Sequence, residues 1–169
     1  KEYDRNKKKK KKWKELILIL NLKNYNRHMT IENKLKELNI TLPDAPKPVG
    51  AYVAYKHASN FIFISGQLPL DTNGKLIKGK IGKDLKLEDG QKAARLCVIN
   101  ILAQVKKAVD GDLDKIKSCV KITGFVNSSD DFVDQPKVIN PASETISTVF
   151  GDNGKHARAA VSTNSLPLG

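Results

Sequence analysis

Residues Gly151–Leu168, GDNGKHARAAVSTNSLPL, set a Gly-rich turn, a single arginine and a short Ala/Val run one after another. Small and β-branched residues with polar punctuation at both ends read as a half-buried strand around Ala159-Ala160-Val161 that follows a helix through a tight turn. Arg158 sits at the mouth of that strand. Its guanidinium is either a surface charge paired with a carboxylate or a planar, permanently charged ligand for an anion. His156 falls on the same face by the two-residue period of a strand, as an acid or base near neutral pH or as a packing residue at the rim.

Working back from the turn, Val138–Phe150 spaces Ile139, Ala142, Ile146 and Val149 as the inner face of a helix, with a break or restart expected at Asn140-Pro141. Before it, Ile116–Val126, IKSCVKITGFV, reads as a long strand closed by the turn Asn127–Asp130. The strongest helical pattern in the chain is Leu85–Val109. Ala94, Cys97, Val98, Ile101, Leu102, Val105, Ala108 and Val109 make one apolar stripe, and Lys92, Arg95, Lys106 and Lys107 lie off it. Asp110-Gly111 stops it.

The N-terminal half is more broken. Thr30–Ile40 predicts a short amphipathic helix, and Pro43, Pro46 and Pro48 an extended lead-in. Two strands are expected, Val49–Tyr55 and Asn60–Ser65, joined by Lys56–Ser59. The second, with its core FIFIS, has no polar interruption and predicts a strand covered on both faces. His57 is expected in the connecting loop. Asp71–Gly74 is a turn, and Lys75–Gly82 a short polar strand or loop. The order β-β-(β)-α-β-α-β defines an α+β layer, a single mixed sheet with two helices on one face. A domain of this size cannot also cover the other face, so a homo-oligomer whose sheets pack on one another is expected.

Charge is unevenly placed. Eleven Lys/Arg against three acids in residues 1–28 account for +8 of the net +12, leaving +4 for residues 29–169. The high pI is thus mostly a property of this extension. It argues against nucleic acid as a partner of the core and leaves it open for the basic tail. The lysine run predicts a solvated, disordered extension. The apolar run Leu16–Leu22 is too short to span a bilayer, so no membrane partner is expected. Met29 is the only methionine, which points to a native start there and a division into 1–28, a helix and Pro-rich lead-in over 29–47, and a domain over 48–169. Cys97 and Cys119 stand apart, with no CxxC and no clustered histidines. They read as small core residues in a reducing, cytoplasmic compartment. No metal-ligand spacing, phosphate loop or dinucleotide fingerprint is present, so neither a metal nor a cofactor is expected. Ser65 has no His/Asp arrangement legible in the sequence, which argues against a serine hydrolase.

Four blocks, in order, carry a family resemblance. They are PVGAY from Pro48 to Tyr52, FIFISGQLPL from Phe61 to Leu70, GDLDKIKSCVKITGFV from Gly111 to Val126, and HAR from His156 to Arg158 followed by Ser165–Pro167. On these, residues 48–169 resemble the YjgF/RidA family, also catalogued as endoribonuclease L-PSP-like proteins, translation initiation inhibitors or reactive enamine/imine deaminases. The resemblance implies a chorismate-mutase-like fold and a homotrimer whose sheets form a central barrel, with three ligand clefts between subunits. In the deaminase branch an arginine matching Arg158 grips the carboxylate of a 2-imino acid. A tyrosine matching Tyr52 and the segment matching Ser65-Gly66 line the cleft, where hydroxyl and backbone groups can place a water for attack on the C=N carbon. Asn140 falls one residue out of register with an asparagine that joins the cleft in some members. The deaminase motif carries Ser-Cys after the arginine, where this chain has Ala159-Ala160. The family's C-terminal strand, which supplies an acidic cleft residue, would follow Gly169. The implied activities are imine hydrolysis, binding of a small carboxylate without turnover, or action on RNA.

Overall fold

A computed structural model describes residues 11–18, 29–48 and 50–169. Residues 11–18 form a helical segment with every residue exposed, and the rest of the basic extension lies outside the described residues. The ordered elements are helix α1 (Ile31–Glu37), strands β1 (Tyr55–Ala58) and β2 (Phe61–Ile64), helix α2 (Leu87–Ala108), strand β3 (Lys121–Asn127), helix α3 (Gln135–Phe150) and strand β4 (Ala157–Thr163). Single 3-10 turns at Leu113–Lys115 and Gly151–Gly154 introduce β3 and β4.

The expected strand over residues 49–55 is displaced toward the C-terminus. Tyr55–Ala58 pairs antiparallel with Phe61–Ile64, so Lys56 and His57 are strand residues, and the hairpin closes on Ser59-Asn60. Ser59 takes φ 52°, the left-handed conformation a two-residue hairpin turn demands. Upstream, Gly50 at φ 136° and the prolines at 46 and 48 hold the lead-in out of the ladder. The β3 ladder likewise starts at Lys121 rather than Ile116. Just before the ladder, Cys119 N–H donates to Asn153 O of the turn Gly151–Gly154 (2.8 Å), and Val120 O accepts from Ala157 N–H, the first residue of β4 (3.0 Å).

β3 and β4 then run parallel through seven residue pairs, Lys121↔Ala157 to Asn127↔Thr163, with α3 as the crossover. In place of one mixed sheet, the described residues form two two-stranded sheets, β1-β2 and β3-β4. Isolated bridges from Ile81 to Leu85 and to Ser128 tie the loop after β2 to the end of β3.

The core lies where α2 and α3 pack on each other and on these sheets. Val98, Leu102 and Leu113 are each 1% exposed, and Val126, Val138, Ile146 and Val149 close around them. The stripe read from the sequence is this buried face. α1 docks through Leu35, its N-terminus set by the Thr30 hydroxyl accepting Asn33 N–H (3.3 Å) and by Asp114 Oδ1 accepting Ile31 N–H (2.9 Å).

α3 runs unbroken through Pro141, against the expected restart. A proline there removes the N–H that would bond the Lys137 carbonyl four residues back. Gln91 on α2 supplies the replacement, its Nε2 donating to Lys137 O at 3.0 Å.

Truncating Leu102 at the centre of this core removes a filled volume that its neighbours cannot fully close. Leu102→Ala is expected to cost about 2–5 kcal/mol, read as a lowered urea midpoint at unchanged m-value in equilibrium unfolding.

Candidate functional site

β4 begins two residues after the turn Gly151–Gly154, and that turn is pressed onto α3. A Cβ on Gly154 would meet the Ile146 carbonyl oxygen and lie 2.7 Å from Ser147 Cα, so only glycine lets the backbone come this close. The approach presents Gly154 O to the side chain of His156. Its Nδ1 lies 2.6 Å from that oxygen and its Nε2 3.0 Å from Ser143 Oγ. A carbonyl can only accept, so Nδ1 carries the proton in the neutral ring. Nε2 then holds the lone pair, and the Ser143 hydroxyl donates to it.

Arg158 follows on the same side of the chain. Its Nη1 donates to Asn140 Oδ1 (2.9 Å) and to Ser143 Oγ (3.2 Å). Asn140 and Ser143 are three residues apart and share one face of α3. Among the described residues no carboxylate lies within ion-pair distance of Arg158, and its side chain is exposed. Of the two readings of this arginine, the carboxylate-paired one therefore has no partner in the described chain. The guanidinium is oriented by two neutral acceptors, Asn140 Oδ1 and Ser143 Oγ, both on Nη1.

The remaining predicted residues form a second group. Tyr52 and Gly66 line a shallow pocket of about 120 Å³ together with Pro46, Gln67, Asn100 and Gln104, and Arg158 is not among its walls. Tyr52 is 54% exposed, which places it in the pocket wall and not in the core. Ser65 Oγ donates to Val53 O (2.6 Å), leaving its lone pairs as acceptors. Two amides of α2 pin the backbone around this pocket: Asn100 Nδ2 reaches Leu68 O (2.9 Å) and Leu70 O (3.1 Å) after β2, and Gln104 Nε2 reaches Pro46 O (2.7 Å) in the lead-in before β1. Both amides are almost fully buried on α2, and pinning by side chains holds irregular backbone that has no ladder of its own.

Within one chain, then, Arg158, His156 and Asn140 come together, and Tyr52 and Gly66 meet at another pocket, with Ser65 at the strand end beside it. Ser143 and the amides Asn100 and Gln104 were missed from sequence. The signal for Ser143 was its spacing of three from Asn140. The two buried amides sit in the apolar-rich run of α2, where composition alone does not single them out.

The apolar faces not used in the core are also grouped. Phe61 and Phe63 on β2 are 52% and 61% exposed, and Phe125 on β3 and Val161 on β4, paired in register, are exposed beside each other. Phe61–Ile64 is thus covered on one face only, its Ile62 and Ile64 half-buried.

This is the α+β architecture of the chorismate-mutase-like proteins, with an arginine-centred polar cluster at the start of its last strand. A family model described as "YjgF/chorismate_mutase-like, putative endoribonuclease" matches residues 32–169. The chain belongs to the YjgF/RidA family. It is 43% identical over 136 residues to Protein TCP17 of Trypanosoma cruzi, covering 80% of this chain and 84% of that one. The RutC family protein PH0854 of Pyrococcus horikoshii is 30% identical over 134 residues, 79% of this chain and 89% of its own. Among solved structures, the Agrobacterium tumefaciens protein Atu1372 superposes with a TM-score of 0.75 at 48% identity, over 82% of this chain and 86% of that one.

Two electrostatic features flank the site. In the turn, the Lys155 ammonium lies 2.8 Å from Asp152 Oδ1, holding the Asp152 carboxyl below its usual range and Lys155 above its own; both are at the surface. Neither cysteine belongs to the cluster. Both are half-buried and free, and burial pushes the Cys97 thiol from 9.0 up to about 12 and raises that of Cys119. A thiol bound more tightly to its proton in the fold than in the unfolded chain favours the fold fully below pH 9. That contribution is lost as pH climbs toward 12. In a Cys119→Ser background, Cys97 is expected to react with Ellman's reagent at pH 8 at least tenfold more slowly in native protein than in urea, followed at 412 nm.

Proposed function

We propose that this protein hydrolyses reactive 2-enamine and 2-imine intermediates to 2-keto acids and ammonia, with Arg158 gripping the substrate carboxylate. The observation that carries this reading is the state of Arg158. An exposed guanidinium, oriented by Asn140 and Ser143 and without a carboxylate partner among the described residues, is a fork waiting for a planar anion. Family membership supports this reaction class, and the cluster supports the choice of a negatively charged substrate. An iminium carbon is already electrophilic, so the site needs position and a placed water more than a strong base.

Ser65 and Gly66 are assigned to that water and Tyr52 to the cleft wall. These groups and the Arg158 cluster meet across a subunit boundary in a homotrimer. What supports the trimer is the exposure of Phe61 and Phe63 on one small sheet and of Phe125 and Val161 on the other, apolar side chains that assembly would bury. The two free cysteines support a reducing, cytoplasmic setting, and among the described residues no helix is long and apolar enough to cross a membrane.

The test is keto-acid formation from an imine generated in situ by an amino-acid oxidase. Wild type is expected to accelerate it, and Arg158→Ala to lose about 10- to 100-fold in kcat/KM, the ~1.5–3 kcal/mol of a charged hydrogen bond. Arg158→Lys should restore only part, because an ammonium cannot make the bidentate fork. Light scattering should give three times the monomer mass. Absence of acceleration by wild type, together with saturable binding of a small carboxylate that Arg158→Ala abolishes, would establish a binding protein instead of an enzyme. RNA binding that persists after removal of residues 1–28 would favour the nucleic-acid reading.

A further inference from the structure

The cluster holds more than an anion grip. Three hydrogen bonds run in series from Gly154 O through the imidazole of His156 to Ser143 Oγ and on to Arg158 Nη1, at 2.6, 3.0 and 3.2 Å. Their directions are not free. The carbonyl accepts from Nδ1–H, so Nε2 accepts from Ser143 O–H, and Ser143 Oγ in turn accepts from the guanidinium. A hydroxyl oxygen has two lone pairs, and Arg158 takes one. The other is left for a further donor.

We propose that Ser143 and His156 are the proton relay of this site, a reading that rests on the imine hydrolysis proposed above. With the carboxylate on Arg158, the adjacent C=N carbon lies next to Ser143, and the water assigned above to Ser65 and Gly66 also donates to the remaining lone pair of Ser143 Oγ and attacks that carbon. The water oxygen forms the new C–O bond while the C=N electron pair goes onto the iminium nitrogen. One water proton passes to Ser143 Oγ as the serine's own proton passes to His156 Nε2. The imidazolium then returns a proton through Ser143 to the amino nitrogen of the carbinolamine. The C–N bond breaks as the hydroxyl's O–H electron pair closes the C=O bond. That last proton leaves by the same relay with the departing ammonia, as ammonium. One water is consumed, and serine and histidine end as they began. Gly154 matters because its carbonyl fixes the tautomer. Ser143 matters twice, since the atom that passes the proton also holds Arg158.

The local surroundings fit a relay more closely than packing. Ser143 sits inside a helix, where a serine that is not bonded back to its own backbone is free to serve a neighbour, and its two recorded bonds both go to the β4 side. His156 is half-buried, shielded enough to hold one ring orientation and open enough to exchange a proton. The cluster has no carboxylate that would otherwise supply the base among the described residues.

The two roles of the pair separate in one variant. His156→Gln keeps an acceptor within reach of the Ser143 hydroxyl, so Arg158 stays oriented, but an amide cannot take up a proton. In the imine assay, with the full chain checked for native unfolding behaviour, His156→Gln is expected to lower kcat by about 100-fold or more with KM changed less than about threefold. Ser143→Ala should lower kcat and raise KM together, having lost both functions. Added imidazole should restore part of the kcat of His156→Gly. Wild-type kcat in His156→Gln would overturn the relay and leave Ser143 and His156 as supports for Arg158. No turnover by wild type would overturn the deaminase reading and the relay with it, an outcome read before any variant is made.

Discussion

One side-chain hydrogen bond keeps the site in one piece. Pro141 sits in the second turn of α3 and strips the Lys137 carbonyl of its helical partner, yet the helix continues because Gln91 on the neighbouring helix donates to that carbonyl. Without it the segment would end or kink near Asn140, and Asn140 and Ser143 would no longer share a helical face. Those two residues are the acceptors that orient Arg158. The packing of α2 on α3 is therefore a condition of the site's geometry as well as the source of the core.

The second support is the turn that joins α3 to β4. Gly154 lies so near the helix backbone that no side chain fits, and the same turn bonds Cys119 through Asn153. This close approach aims a carbonyl at His156 and starts β4 beside β3 in a register that puts Arg158 opposite Ile122. Helix, turn and strand thus converge on a few polar atoms at the edge of an apolar core. Functional polar groups at such an edge gain orientation from the packed scaffold without a full burial penalty.

The other half of the predicted cleft depends on a different device. Two buried amides of α2 hold irregular backbone on either side of the β1-β2 hairpin, Asn100 the carbonyls of Leu68 and Leu70 after it and Gln104 the carbonyl of Pro46 before it. Burying Asn100 and Gln104 is tolerated because their N–H groups are spent on backbone oxygens. Both small sheets leave apolar side chains exposed, Phe61 and Phe63 on one and Phe125 and Val161 on the other.

Much of this was legible in residue order. The apolar stripe read over Leu85–Val109 and the helix–turn–strand sequence leading into Ala159–Val161 follow from periodicity and turn residues, and the family follows from a resemblance carried by four blocks of residues in order. So does the pairing of His156 with Arg158 on one face, a consequence of the strand period. Tertiary structure decided the rest. Whether Pro141 broke its helix depended on a side chain 50 positions away in sequence, and where β1 and β3 began depended on which segments came to lie opposite them. Ser143 gained its place beside Arg158 only when β4 packed against α3. Local sequence sets propensity and face, whereas the partners of freed carbonyls, strand ends and long polar side chains are settled by contacts between distant residues.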